Sequence, residues 1–248
     1  MRVALGIEYD GTNYYGWQRQ LGLASLQEKV ETALSKVATE KIIVTCAGRT
    51  DAGVHALYQV VHFDTKVERN SRAWVMGANS NLPSDIRILW ARLVSSNFHA
   101  RYGAISRHYR YIIYNNIISS ALLRDRTMWY PYALDEKIMN NAGKYLLGEH
   151  DFSSFRGSGC QSRSVRRNVT LLEVTRNGVM INIDIKANAF LLRMVRNIVG
   201  VLIKIGTGKR RPIWAKEVLE MRDRKSAAVT VPAAGLYLIK VEYDEFGE

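Results

Sequence analysis

"NVTLLEVTRNGVMINIDIKA", Asn168 to Ala187, decides the architecture of this chain. In its second half Val179, Ile181, Ile183 and Ile185 alternate with Asn182, Asp184 and Lys186, the two-residue period of a half-buried strand. Asn177-Gly178, between the two runs, is the preferred dipeptide of a type I′ turn, so the stretch predicts an antiparallel hairpin. Working outward, a strand is expected at 107–114 and a helix near 135–147, with Ile138, Ala142, Tyr145 and Leu146 as its apolar stripe. Beyond the hairpin follow a helix from Ala189 to about Ile205 ending at Gly206, a shorter helix at 214–222, and a last strand in "GLYLIKVEY".

The first half repeats this order. A strand at 3–9 leads to a helix at 26–37, where Ser25 and Glu28 have capping-box spacing. Strands at 41–47 and 57–64, a helix at 72–78 and a strand at 86–94 complete it. Each half therefore reads β-α-β-β-α-β, with one extra helix in the second. The expected fold is α+β: two lobes, 1–100 and 101–248, with mainly antiparallel sheets flanked by helices, a boundary near Asn97 to Ser106, and a site in the interlobe cleft. The tight Asn177-Gly178 turn and the long polar "CAGRTDAGVHA", Cys46 to Ala56, occupy equivalent hairpins. The long loop is the better place for function.

Composition narrows the partner. A formal net charge of +12 favours an anionic one, nucleic acid before anionic membrane. Hydrophobic residues make up 47% of the chain and no low-complexity tract interrupts it, so the charge sits on a folded body. Two cysteines, Cys46 and Cys160, and five scattered histidines form neither a disulfide framework nor a metal-binding spacing. The start lacks the pattern of a signal peptide, and the longest apolar run, 189–203, is short for a membrane span and carries Arg193 and Arg196. The expectation is a soluble cytoplasmic protein without a metal site.

Within the long loop stands one carboxylate, Asp51. It belongs either to a plain β-turn over Thr50 to Gly53 or to a reaction site. The helix from Ala189 is apolar on nearly every side, yet Arg193, Arg196, Asn197 and Gly200 share one stripe. A guanidinium taken from water needs a partner, and Asp184, solvent and Asp51 are the alternatives. A carboxylate beside Arg196 would stay ionised and be held in one orientation. On the strand "SRHYRYIIY", Arg107, Tyr109, Tyr111 and Ile113 fall on one face, a ring and guanidinium pattern that suits stacking on bases. "FRGSGCQSRSVRR" adds Arg163, Arg166 and Arg167 in a glycine- and serine-rich stretch suited to phosphate contact.

"YDGTNYYGWQRQ" (9–20), "AGRTDAGVHA" (47–56), "FHARYGAISRHYRYIIYN" (98–115), "GEHDFSSF" (148–155), "ANAFLLRMVRNIVG" (187–200) and "GLYL" (235–238) together resemble the successive motifs of the tRNA pseudouridine synthase A family. "TVPAAGLYL" and a brief acidic tail after Tyr243 depart slightly from the pattern. The resemblance implies a pseudouridine synthase fold and an isomerase that turns uridine into pseudouridine at positions 38 to 40 of the tRNA anticodon stem-loop. It implies no cofactor, no metal and a homodimer. Asp51 resembles the family's catalytic aspartate, Arg196 its partner and Tyr109 the ring beneath the target base. Arg49 and Leu236 fall where the family contacts the flipped nucleotide. Two other classes compete: a non-catalytic protein of tandem RRM-like lobes, for which the RRM signature is missing, and a nuclease, for which clustered carboxylates are missing.

Overall fold

A computed structural model describes residues 1–244; the end of the acidic tail lies outside them. The chain divides into two compact units, Met1–Ile105 with Tyr237 onward, and Ser106–Leu236. The units meet between Ile105 and Ser106, and the last strand from Tyr237 on counts with the first of them.

In the first unit the order is β1 (Arg2–Tyr9), α1 (Leu26–Ala38), β2 (Thr45–Cys46), β3 (His55–Asp64), α2 (Ser71–Asn79) and β4 (Ile86–Val94). β1 lies between β3 and β4, antiparallel to both, and β2 pairs antiparallel with β3. Leu5, Ile7, Leu26, Val30, Leu34, Val61, Phe63 and Trp74 are buried, with Phe63 edge-on to Trp74 at 5.1 Å. The strand expected at 41–47 shrinks to two residues. Side chains of α1 take the amides that a ladder would use: Ile42 N–H donates to Ser35 Oγ at 2.9 Å and Val44 N–H to Glu31 Oε1 at 3.1 Å. The expected capping box is also absent. Ser25 is the N-cap of α1, but its hydroxyl makes no capping bond, and the Leu26 and Gln27 amides donate instead to the Gly16 and Trp17 carbonyls.

The second unit runs β5 (Ser106–Asn115), β6 (Met128–Tyr130), α3 (Glu136–Gly143), β7 (Gly148–Asp151), β8 (Arg166–Asn177), β9 (Met180–Ala187), α4 (Met194–Gly206) and α5 (Trp214–Met221). The remaining strand, β10 (Leu236–Glu242), pairs parallel with β3 through Tyr237 and His55, and from Tyr237 on it counts with the first unit. Strands β5, β9, β8 and β7 pair antiparallel in that order, and β6 lies parallel along β5. The short β6 and β7 are additions to the expected order. The hairpin is present, with Asn177 opposite Met180, but only Gly178 of its turn has positive φ (57°). Gly178 and Val179 thus form a II′-type turn in place of I′. Of the expected stripe, Ala142 on α3 and Leu146 in the turn after it are buried, while Met139 and Gly143 take the buried places expected of Ile138 and Tyr145. α3 packs on β8, where Asn140 Oδ1 accepts the Val174 amide at 2.9 Å.

Asp184 on β9 is mostly buried and stands opposite Arg110 of β5; it accepts from Arg110 Nε at 3.0 Å and lies 2.8 Å from His108 Nε2. It therefore serves the sheet and not the arginines near α4. Burial opposes its charge, but the bonds from His108 and Arg110 outweigh burial and hold the carboxyl below its ordinary 3.8. A carboxyl whose folded pKa is depressed contributes stability above its unfolded pKa and loses it as pH falls through the folded value. Asp184→Asn is therefore expected to cost about 1.5–3 kcal/mol near pH 7. Urea unfolding from pH 7 down to 2.5 checks this: the gap between wild type and variant should close below about pH 4. A constant gap would rule out the charge as its cause.

Candidate active site

The Asp51 loop, between β2 and β3, is seated on a second segment of the first unit, residues 9–17. Trp17 N–H donates to the Thr50 carbonyl at 3.0 Å, Gly53 N–H to the Tyr14 carbonyl at 3.3 Å, and Gly11 N–H to His55 Nδ1 at 3.1 Å. The Tyr9 and Thr50 hydroxyls bond at 2.8 Å, both buried. The two backbones are too close for side chains between them. A β-carbon on Gly16 would lie 2.7 Å from the Thr50 oxygen, and one on Gly11 would lie 2.0 Å from the Val54 oxygen. Val54 N–H donates to the Asp51 carbonyl at 3.2 Å and Gly53 has φ 76°, so the tight turn spans Asp51 to Val54 and not Thr50 to Gly53. Asp51 is half-buried at the start of this turn and Arg49 is exposed. The loop is thus both a turn and a rigid mount for one carboxylate.

The second unit carries the other residues. β5 presents its faces as expected: Arg107, Tyr109, Tyr111 and Ile113 are buried, and His108, Arg110, Ile112 and Tyr114 are half-buried. Tyr109 packs edge-on against Phe190, ring centroids 5.1 Å apart, and Arg107 Nη1 donates to the Asn188 carbonyl at 2.9 Å. The helix after β9 begins later than expected. Residues 189–193 lie outside it, and Arg193 is an exposed N-cap in left-handed backbone conformation (φ 59°), so it does not share the stripe. The stripe of α4 is Arg196, Asn197 and Gly200. Arg196 is half-buried and its Nε donates to the Val231 carbonyl at 2.8 Å. Burial holds the Tyr111 phenol well above its ordinary range, against the opposing pull of the Arg196 charge. Leu236 is buried, its amide donating to the Ala233 carbonyl at 2.8 Å.

The three arginines expected on one phosphate-binding surface have different surroundings. Arg163 is exposed; Arg166 is exposed and paired with Glu149 at 2.8 Å. Arg167 is buried, donating from Nη2 to Ser162 Oγ at 2.7 Å and from Nη1 to the Ser164 carbonyl at 3.1 Å, and burial lowers its pKa. A guanidinium buried and bonded inside its own loop braces that loop. Among the described residues, no three His, Cys, Asp or Glu side chains gather to hold a metal ion. The sequence reading missed the segment 224–232, whose Val231 carbonyl receives Arg196; it contains no charged pattern or motif beyond Arg224 and Lys225 that could have marked it.

The family described as tRNA pseudouridine synthase matches this chain over residues 6–103 and 142–244, which include both the Asp51 loop and α4. The chain belongs to the tRNA pseudouridine synthase family. It is 57% identical over 242 residues to the tRNA pseudouridine synthase A of Coxiella burnetii (strain Dugway 5J108-111), covering 98% of this chain and 93% of that one. To the tRNA pseudouridine synthase A of Vibrio campbellii it is 58% identical over 248 residues, covering 100% and 94%. That of Vibrio vulnificus (strain YJ016) is 58% identical over 245 residues, covering 99% and 93%.

The mount of this pseudouridine synthase loop is open to a direct test, because two glycines with similar backbone differ in the space around them. Gly16 (φ 90°) faces the Thr50 oxygen, whereas Gly22 (φ 73°) has nothing within 4 Å of its would-be β-carbon. Both Gly→Ala changes carry backbone strain of about 1–3 kcal/mol. Only Gly16→Ala is expected to add a clash and to speed amide hydrogen exchange over residues 50–54. Equal exchange in the two variants would mean that the loop does not depend on this seat.

Proposed function

We propose that this isomerase acts on tRNA, converting uridine to pseudouridine at positions 38 to 40 of the anticodon stem-loop, with Asp51 as the carboxylate that performs the chemistry. The observation that carries the reading is the rigid seat of Asp51: a single acid, half-buried, on a turn whose backbone is held by residues 9–17. The reaction is balanced within one nucleotide. The bond between N1 and C1′ breaks, the detached uracil turns, C5 bonds to C1′, C5 loses its proton and N1 gains one. Asp51 serves either by attacking C1′, forming a glycosyl ester, or by taking the C2′ proton to give a glycal. Both routes need an ionised carboxylate, and Arg196 is proposed as the guanidinium that maintains it and fixes its aim.

Tyr109 is proposed to stack on the target base after it leaves its helix or loop, with Arg49 and Leu236 contacting the extruded nucleotide. Arg163 and Arg166 supply phosphate contacts, and Arg167 supports them from within the loop. The working unit is proposed to be a homodimer, as the family resemblance implies, acting in the cytoplasm, where the two cysteines would stay reduced. No described helix is long and apolar enough to cross a membrane.

Asp51→Asn is expected to abolish tritium release from 5-tritiated uridine in tRNA while leaving tRNA binding intact, and full activity in this variant would overturn the assignment. Arg196→Met should slow the single-turnover rate far more than it weakens binding, and should move the acidic limb of the rate profile to higher pH. A wild-type profile would free Arg196 from this role. Neutralising Arg163 and Arg166 should weaken binding and reduce the slope of log affinity against log salt by about 0.9 per lost phosphate contact. An unchanged slope would leave both residues as ordinary surface charge.

A further inference from the structure

The stripe on α4 meets one extended segment, residues 228–232, almost residue for residue. The Val229 carbonyl lies where a β-carbon on Gly200 would be, 2.3 Å away. Thr230 Oγ1 donates to Asn197 Oδ1 at 2.6 Å, and the Val231 carbonyl accepts from Arg196 Nε at 2.8 Å. The Pro232 carbonyl accepts from Tyr111 Oη at 2.8 Å, and the Gly235 carbonyl accepts the Ile112 amide at 2.8 Å, immediately before Leu236. Arg224 closes the arrangement, donating from Nη1 to the Ala228 carbonyl at 2.9 Å and from Nη2 to Thr230 Oγ1 at 2.9 Å and Asn197 Oδ1 at 3.1 Å.

Asn197 is fully buried, and its amide is engaged on both sides: Nδ2 donates to the Phe155 carbonyl at 2.7 Å while Oδ1 takes both donors. The Thr230 hydroxyl donates once and accepts once, so its single proton is committed to Asn197 and its orientation is set. One peptide unit separates it from the carbonyl that holds Arg196. Engaging Nε in this bond sets the plane of the guanidinium, and with it the direction of both Nη groups.

We propose that Thr230 is a positioning residue for the reaction: its hydroxyl, anchored on the buried Asn197, sets the 228–235 segment so that the Val231 carbonyl aims the Arg196 guanidinium and Leu236 is held at the segment's far end. The inference rests on the roles proposed above for Asp51 and Arg196. It adds a residue outside every motif that carried the family resemblance.

Two substitutions at Thr230 separate aiming from filling. Thr230→Val keeps the volume and loses the hydroxyl; Thr230→Ser keeps the hydroxyl and loses a methyl group. Single-turnover pseudouridine formation and tRNA affinity are measured for both, with the thermal midpoint as a check on folding. The expected result is that Thr230→Val slows the chemical step about 10- to 100-fold at unchanged tRNA affinity, whereas Thr230→Ser stays near wild type. The reverse order, equal slowing in both variants, or a loss of rate matched by a loss of affinity makes Thr230 a packing residue and overturns the inference. Asp51→Asn is run alongside. If it keeps the wild-type rate, the functional reading has failed and this inference falls with it. If it is inactive while Thr230→Val runs at the wild-type rate, the positioning inference alone has failed.

Discussion

The close approach of two backbones, residues 11–17 and 50–54, is the constraint on which the candidate site depends. The Thr50 oxygen accepts the Trp17 amide and leaves no space for a side chain at Gly16. Backbone held in this way has little freedom left to lose, and in the proposed role of Asp51 such pre-set geometry lowers a barrier without any additional contact to the substrate. The same segment also starts α1, whose first amides bond the Gly16 and Trp17 carbonyls, so the helix and the loop share one anchor.

The second unit solves a different problem. A guanidinium on a largely apolar helix is held there by a backbone carbonyl, which accepts a hydrogen bond and brings no full charge. The Val231 carbonyl takes the Arg196 Nε in this way. Around it, Asn197, Thr230 and Arg224 form a polar cluster with every member bonded, the condition under which buried polar groups define one arrangement in place of several.

Strand and helix periodicity made most of the elements legible in the sequence, including β4, the hairpin and the face of β5 that carries Tyr109. Where the reading failed, side chains or distant backbone had taken over local roles. Residues 41–44 have strand composition, but Ser35 and Glu31 claim their amides. Arg193 lies on a helical period but serves as the left-handed residue before α4. Arg167 stands in a basic stretch but is consumed by its own loop. The Asp51 loop was legible because its glycines and its lone acid are unusual together. Thr230 was not, because a threonine hydroxyl receives its role only from a neighbour that folding brings to it.

The parallel pairing of β10 with β3 joins residues far apart in the sequence, Tyr237 with His55 and Leu238 with Ala56. During synthesis on a ribosome, β3 is made well before this partner. Until then the first unit carries an unpaired strand edge, the kind that recruits other strands. Tyr237 stacks on His55 at 4.7 Å, so the strand that covers this edge also completes the packing beside the Asp51 loop. The loop's surroundings are therefore finished only after β10 has been made, and a product of translation that stops short of Tyr237 would lack them.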